Sequence, residues 1–530
     1  MGLARSDLEM SVKDCLCINK PVSKRVARLK ASTLSEFLQM HACRPACVAV
    51  VFLLITIVDH VNAIAQTGYF NHNESGRLTR LWIPADVETV RGILIIGNGA
   101  GGDSTGAAAN PIYQQFGDLH NFAVVATGFW GNFSGSTELT IWDNHLAALA
   151  AASGHPELIH APWAPIGFSN GGQMSYGFNA LRPEKVIAFI TNKGCCYNDR
   201  MPSEAALQTP GLLIAGELDT QVRRDSIRGL FNDNRPRGAL WSWVEEENTS
   251  HARSDDEIVL PFMAEAIRLR YPSGELPTAT AGVSLRALEE EDGWLADQST
   301  WMSGLAEVAS YDDYVGDKPT AGWLLNENMA QLYRAFATYD RPVSIQFPSS
   351  PVVLGESLSA NMPVTLNVRV NTSGMVDWTK VELFDYAQKI GGVLAGGEPA
   401  SAALVPATLS TGHVHALTAL VTGADGVTIR TTNIVTVLTA SLQGDFNNDG
   451  TVDAADYVVW RKNNGSQADY TLWRANFGKT DVSRAGLSVT EPPPTAVPEP
   501  ATLVLLLIAA SSIRLRRRQS RREWRKHTIA

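Results

Sequence analysis

Between residues 77 and 270 short apolar runs alternate with longer amphipathic ones. Residues 77–83 alternate apolar and polar side chains, as a strand with one wet face does. Residues 92–96 are apolar throughout, as in a strand buried on both faces. Further strands are predicted at 122–126, 186–191, 211–215 and 239–245, and helices at 111–119, 138–152, 173–181 and 255–270. This alternation predicts an α/β domain with a doubly wound, mostly parallel sheet. Residues 273–341 break the rhythm. They carry Trp294, Trp301, Tyr311, Tyr314 and Trp323 in a polar stretch that closes on a helical segment at 326–337. They read as a cap or flank of the first domain (66–341), either lining a pocket or extending its core. From Pro342 short alternating runs follow at 343–347, 364–370, 381–384, 415–422, 427–431 and 435–438, which predict an all-β sandwich over 342–440.

The candidate chemistry sits where strands end. Gly167-Phe168-Ser169-Asn170-Gly171 follows an apolar run and precedes an amphipathic one, the G-x-S-x-G arrangement in which a sharp strand-to-helix turn exposes a serine hydroxyl. Its bland alternative is a serine in a glycine-rich turn. Gly102 to Gly106 fits the same spacing around Ser104, but lies beyond its strand and reads as loop. Gly97-Asn98-Gly99-Ala100-Gly101-Gly102 has two sharp readings. One is a dinucleotide fingerprint, which wants an acid at the end of the next strand, where Thr127-Gly128-Phe129-Trp130 stands instead. The other is a loop whose backbone N–H groups, at Ala100 and Gly101, join that of Asn170 as an oxyanion hole, and this one is preferred. Asp219 and His251 follow later strands, with Glu217 and Asp199 as rival acids. The order Ser169, Asp219, His251 allows an imidazole to take the serine proton while a carboxylate fixes its tautomer.

Taken jointly, the glycine-rich loop, the serine elbow, Gly216-Glu217-Leu218-Asp219 and Ser250-His251 make residues 78–272 resemble the α/β-hydrolase superfamily. The style is that of dienelactone-hydrolase-like, polyester-depolymerase-like and cutinase-like esterases. The resemblance implies a serine esterase that cleaves a carboxylic ester through an acyl-enzyme, with no cofactor for catalysis. Its substrate could be an acylated polysaccharide or a polyester. Two departures stand out: Asn98 replaces the histidine usual before the loop glycine, and Pro162 and Pro165 interrupt a central strand. A non-catalytic binding protein on the same fold is the alternative.

The chain has 530 residues, is 45% hydrophobic and 18% charged, and carries a formal charge of −10, with no basic patch in its middle; nucleic acid is not an expected partner. The apolar run 46–58 behind Arg44, followed by Ala63-Ile64-Ala65, reads as an export signal within a leader spanning 1–65, with Met40 as the expected start. Cys195 and Cys196 are then the two cysteines of the mature chain. They are expected as buried small apolar residues rather than a vicinal disulfide.

In the sandwich region, KVELFDYAQKIGG and HVHALTALVTGADGVTI are similar to bacterial immunoglobulin-like modules, which implies a spacer or weak binder. Residues 445–456 place oxygen-bearing Asp445, Asn447, Asp449, Asp453 and Asp456 at positions 1, 3, 5, 9 and 12. Thr451 offers a backbone carbonyl, and Gly450 makes the turn of a calcium loop. With the echo of Asp456-Tyr457 in Asp469-Tyr470, residues 443–480 resemble a truncated dockerin, which implies Ca2+ and a cohesin-like or polysaccharide partner. A proline-rich linker (481–500), an apolar run at 501–510 and basic residues to Lys526 resemble a PEP-CTERM sorting signal over 501–530. That resemblance implies transient membrane insertion, exosortase processing, and display at the surface or in the matrix of a Gram-negative bacterium.

Overall fold

The computed structural model describes residues 68–479, apart from 86, 101–103, 129–134, 198, 254–255, 298–304, 340–342, 347–351, 354–363, 397–399, 411, 432, 440–442, 447–450, 463–464 and 466. The export signal, the proline-rich linker and the sorting tail expected from sequence lie outside these residues. Among the described residues no helix is long and apolar enough to cross a membrane.

Eight strands form the central sheet: β1 (Gly68–Glu74), β2 (Arg77–Ile83), β3 (Gly92–Gly97), β4 (Phe122–Thr127), β5 (Trp163–Phe168), β6 (Phe189–Asn192), β7 (Gly211–Gly216) and β8 (Trp241–Glu246), in the spatial order β1-β2-β4-β3-β5-β6-β7-β8. The β1–β2 and β2–β4 pairs are antiparallel and every later pair is parallel. Helices α1 (Pro111–His120), α2 (Ser136–Ser153), α3 (Asn170–Leu181), α4 (Glu204–Leu207), α5 (Gln221–Asn234) and α6 (Asp256–Arg270) occupy the connections. The chain steps one way from β3 to β4 and the other way from β4 to β8. Right-handed crossovers therefore put α1 on one face and α2, α3 and α5 on the other, which is the doubly wound arrangement. β3, β4 and β7 are buried on both faces, as their unbroken apolar runs require.

Pro165 stands in the middle of β5, a central strand, where proline removes a ladder donor. The chain absorbs it with an extra residue on the neighbouring segment: Trp163 pairs with Val186, but three residues later Ile166 pairs with Ile190, four residues on. The Pro165 carbonyl is satisfied by the Ser175 hydroxyl at 2.9 Å.

Beyond α6 the chain flanks the β8 edge with a small sheet, β9 (Trp294–Ala296), β10 (Val308–Ser310) and β11 (Gly322–Leu324) in the order β10-β9-β11, and helix α7 (Glu327–Ala337). Of its aromatics, Trp323 is 1% exposed and donates Nε1–H to the Glu290 carbonyl at 2.9 Å, and Tyr333 donates its hydroxyl to the carbonyl of Trp243 in β8. The fully buried Arg235 ties the flank down through its contacts with Glu290 and with the carbonyls of Ala321 and Lys318. Of the two readings this segment carried from sequence, a pocket lining and an extension of the core, these contacts favour the second.

Two further sheets stack as a sandwich. One is β12 (Ser344–Gln346), β14 (Val364–Asn371) and β17 (Ala402–Leu409), in the order β12-β14-β17. The other runs β13 (Val352–Val353), β20 (Val435–Leu438), β18 (Val414–Gly423), β15 (Trp378–Asp385), β16 (Gln388–Leu394), with β19 (Thr428–Arg430) on β18. Their shared core includes Val368, Val381, Leu383, Val405, Ala419 and Val421. The first half of β18 is buried on both faces, because its other face meets the α/β domain. Tyr386, Val414, Ala416, Ile434 and Leu438 belong to the hydrophobic core of that domain. The Glu257 carbonyl at the start of α6 accepts the Thr436 hydroxyl at 2.9 Å. The sandwich is thus joined to the α/β domain through a common apolar core, where sequence suggested a spacer.

Residues 443–479 add a helical hairpin, α8 (Ala454–Lys462) and α9 (Gln467–Asn476). The repeated Tyr and Trp positions pack on one another while staying half-buried: Tyr457, Trp460, Tyr470 and Trp473 form a closed ring of contacts with centroids 5.1–5.5 Å apart.

Candidate active site

The carboxyl ends of β3, β5, β6, β7 and β8 converge on Ser169. The serine leaves β5 with φ 54° and ψ −118°, a conformation that an L-residue holds only when its surroundings impose it. Those surroundings are visible. Ser169 N–H donates to the Asn192 carbonyl at the end of β6 at 2.9 Å, and Gly171 N–H donates to the Asn98 carbonyl beyond β3 at 3.1 Å. A Cβ on Gly167 would run into the Gly171 carbonyl, and one on Gly171 into the backbone of Gly97. The glycines of the G-x-S-x-G segment are therefore dictated by close approach of β3, β5 and α3.

The structure brings Ser169, His251 and Asp219 into one line. Ser169 Oγ is 3.0 Å from His251 Nε2, and His251 Nδ1 is 2.7 Å from Asp219 Oδ2. The Phe168 ring lies 5.1 Å from the imidazole and supports it from β5. Asp219 is 7% exposed. Burial alone would push its carboxyl up, but hydrogen bonds from His251 and from Thr220 N–H, with the nearby charges of His251 and Arg223, outweigh it and hold the pKa below the usual carboxylate range. The rival acids are engaged elsewhere: Glu217 accepts from Asn248 N–H at 2.8 Å, and Asp199 accepts from Met201 N–H at 2.9 Å.

Of the expected oxyanion donors, Asn170 begins α3, where the first N–H groups of a helix have no partner within it. Ala100 is exposed, and Gly101 lies outside the described residues. Gly99 of this loop lies close to the nucleophile: a Cβ on it would stand 3.5 Å from Ser169 Oγ. Asn98 fills the position where the resembled family has histidine. Its side-chain oxygen accepts from Arg253 at 3.1 Å, and the Arg253 guanidinium also lies 5.4 Å from the Tyr113 ring. Arg253 thus straps the histidine loop to the glycine-rich loop. No motif in the sequence announces that role, and only its place two residues after His251 hints at it.

A second element that no motif announces lies under the same loops. Lys193 is fully buried after β6, with Nζ 2.5 Å from Glu246 at the end of β8, and fixes the start of the segment that carries Cys195 and Cys196. Those cysteines are joined as a vicinal disulfide, with Cys195 half-buried and Cys196 exposed, which corrects the expectation of two buried thiols. The Gln173 amide on α3 reaches both of their carbonyls, and the Ser226 hydroxyl on α5 accepts from Cys196 N–H at 2.8 Å.

Away from this centre, Asp445, Thr451, Asp453 and Asp456 of the expected calcium loop are described, while Asn447 and Asp449 are not. Asp456 is fully buried and accepts from Asp453 N–H at 2.7 Å, and Asp445 is 9% exposed. Among the described residues alone, no group of three or more His, Cys, Asp or Glu side chains could hold a metal.

No protein-family model matches this chain, and no curated protein matches it. Solved structures similar to it are named as esterases and hydrolases. Poly(aspartic acid) hydrolase-1 from Sphingomonas sp. KT-1 is 15% identical over 35% of this chain and 94% of its own, with a TM-score of 0.29. A thermostable esterase is 19% identical over 35% of this chain and 56% of its own, also at 0.29. Esterase PE8 is 18% identical over 38% of this chain and all (100%) of its own, again at 0.29. At such scores the chemistry of this chain rests on its own geometry.

Proposed function

We propose that this chain is a serine hydrolase that cleaves carboxylic esters through an acyl-enzyme. The observation that carries the reading is the continuous line from Ser169 Oγ through the His251 ring to Asp219, with hydrogen-bonding separations of 3.0 and 2.7 Å. In this reading Asp219 keeps the Nδ1 proton of His251 in place, leaving Nε2 free to accept the serine proton as Oγ attacks the ester carbonyl. The developing oxyanion is met by the N–H of Asn170 and by an N–H of the loop 99–101. The protonated imidazole then returns its proton to the leaving alcohol, and water repeats the sequence to release the acid. The positive φ of Ser169 also favours this reading over a non-catalytic scaffold, since a binding surface has no need of a strained serine.

A fluorophosphonate probe tests it. The wild-type chain is expected to take the label and to hydrolyse at least one of acetyl, feruloyl or longer-chain esters. Ser169→Ala is expected to take no label and to lose about 10^4-fold or more in kcat. Absence of labelling in correctly folded wild type would leave the binding-scaffold alternative.

A further inference from the structure

We infer that the Cys195–Cys196 disulfide, Leu218 and Val222 form an apolar lip beside Ser169 that receives an apolar chain of the ester substrate. This rests on the esterase reading and adds a substrate class to it. An exposed leucine on its own carries no message. Here each of three apolar groups is tied to an element of the triad: the disulfide to Gln173 on the helix that Ser169 begins, Leu218 as the chain neighbour of Asp219, and Val222 to the disulfide through its own helix. Leu218 is 60% exposed and immediately precedes Asp219, and its N–H donates to the Thr249 carbonyl of the histidine loop at 2.9 Å. Val222 is 68% exposed and lies in the first turn of α5. Four residues on, and so on the same face of that helix, Ser226 accepts the Cys196 N–H at 2.8 Å, which sets the exposed disulfide beside Val222.

The disulfide is held in that place from every side. Lys193 is pinned below it, Gln173 binds its carbonyls from the nucleophile's own helix, and the Tyr197 hydroxyl bonds Thr191 behind it. With both carbonyls of residues 195–196 and the Cys196 N–H already hydrogen-bonded to Gln173 and Ser226, what the exposed pair chiefly offers a substrate is sulfur and methylene, which make no strong hydrogen bond. A sugar or a charged acyl group gains little from such a surface, whereas an alkyl or aryl chain is desolvated by it. Since the disulfide is bound by the nucleophile's own helix and Leu218 adjoins the acid that holds His251, the occupant we infer is the part of the ester next to the scissile bond.

Two ester series test the lip and decide whether the chain it receives belongs to the acid or to the alcohol. The first compares p-nitrophenyl acetate with p-nitrophenyl octanoate, and the second methyl acetate with octyl acetate. Each kcat/KM is divided by the fraction of sites that a fluorophosphonate titrates, so that misfolded protein does not count. The wild type is expected to prefer the long chain in one series. Leu218→Ser, Val222→Ser and the double variant Cys195→Ser/Cys196→Ser are each expected to reduce that preference about tenfold. A wild type with no chain-length preference in either series, or variants that keep the wild-type ratio, would overturn the lip while leaving the esterase intact. A folded wild type that takes no label and cleaves none of the four esters would overturn both.

Discussion

Ser169 keeps its unusual backbone because three chain segments crowd it, and the crowding can be tested one methyl group at a time. Gly171→Ala puts a Cβ against the backbone of Gly97, which has no side chain to swing away. The expected outcome is a loss of about 2–4 kcal/mol in denaturant unfolding, in the upper range of single substitutions, together with loss of probe labelling. Wild-type stability with normal labelling would show that β3 and α3 can separate at little cost. These glycines are legible in the sequence, because a serine between small residues after an apolar run has few other uses. The choice between Asp219 and Glu217 was less so, since both follow β7 and only the turn decides which carboxylate swings toward His251. Arg253 carries no readable signal, and the adjacent cysteines leave a disulfide and a pair of buried thiols both open, for their roles depend on contacts between loops far apart in the chain.

Regular periodicity decided which strands and helices were visible. β2, β3, β4 and β7 fall where their apolar runs predict, within a residue. Helix α5 was not visible: its buried residues are few, and its Arg224 and Arg228 are held by the nearly buried Glu245 of β8, an ion-pair anchor that no hydrophobic period records. β16 and β17 were missed for a different reason. β16 has no fully buried position, and β17 carries a proline at an exposed one. The last residue of α1 gives this level its prediction. His120 is held at a pKa of about 3 by burial, with the charges of Arg91 and His413 adding to it, against an ordinary value near 6.5. The folded state therefore refuses a proton that the unfolded chain accepts. Stability is expected to be full above about pH 6.5 and to fall as pH drops toward 3, by at most about 1.4 kcal/mol per pH unit. His120→Phe is expected to flatten that slope in thermal melts between pH 6.5 and 4, and a variant with the wild-type slope would assign the dependence to other groups.

The largest departure from the sequence concerns how the modules are joined. Runs of alternating residues after Pro342 announce a sandwich, but they do not say that one face of β18 and β20 completes the core of the preceding domain. Period alone cannot tell a face covered by a sister sheet from one covered by helices α1 and α6. If the two share a core, a chain ending at residue 339 is expected to unfold at a temperature more than about 10 °C lower, or to aggregate, because Val414, Ala416, Ile434 and Leu438 no longer cover it. A shortened chain that stays monomeric and melts where the full chain does would show that the sandwich is a passenger.

That shared core also orders events during synthesis. A ribosome delivers the nucleophile, the acid and the base long before it delivers Leu438, so the α/β half must wait with one apolar flank bare until the last strand of the sandwich arrives. Nascent chains paused anywhere in that interval are the form of this protein with most need of a chaperone.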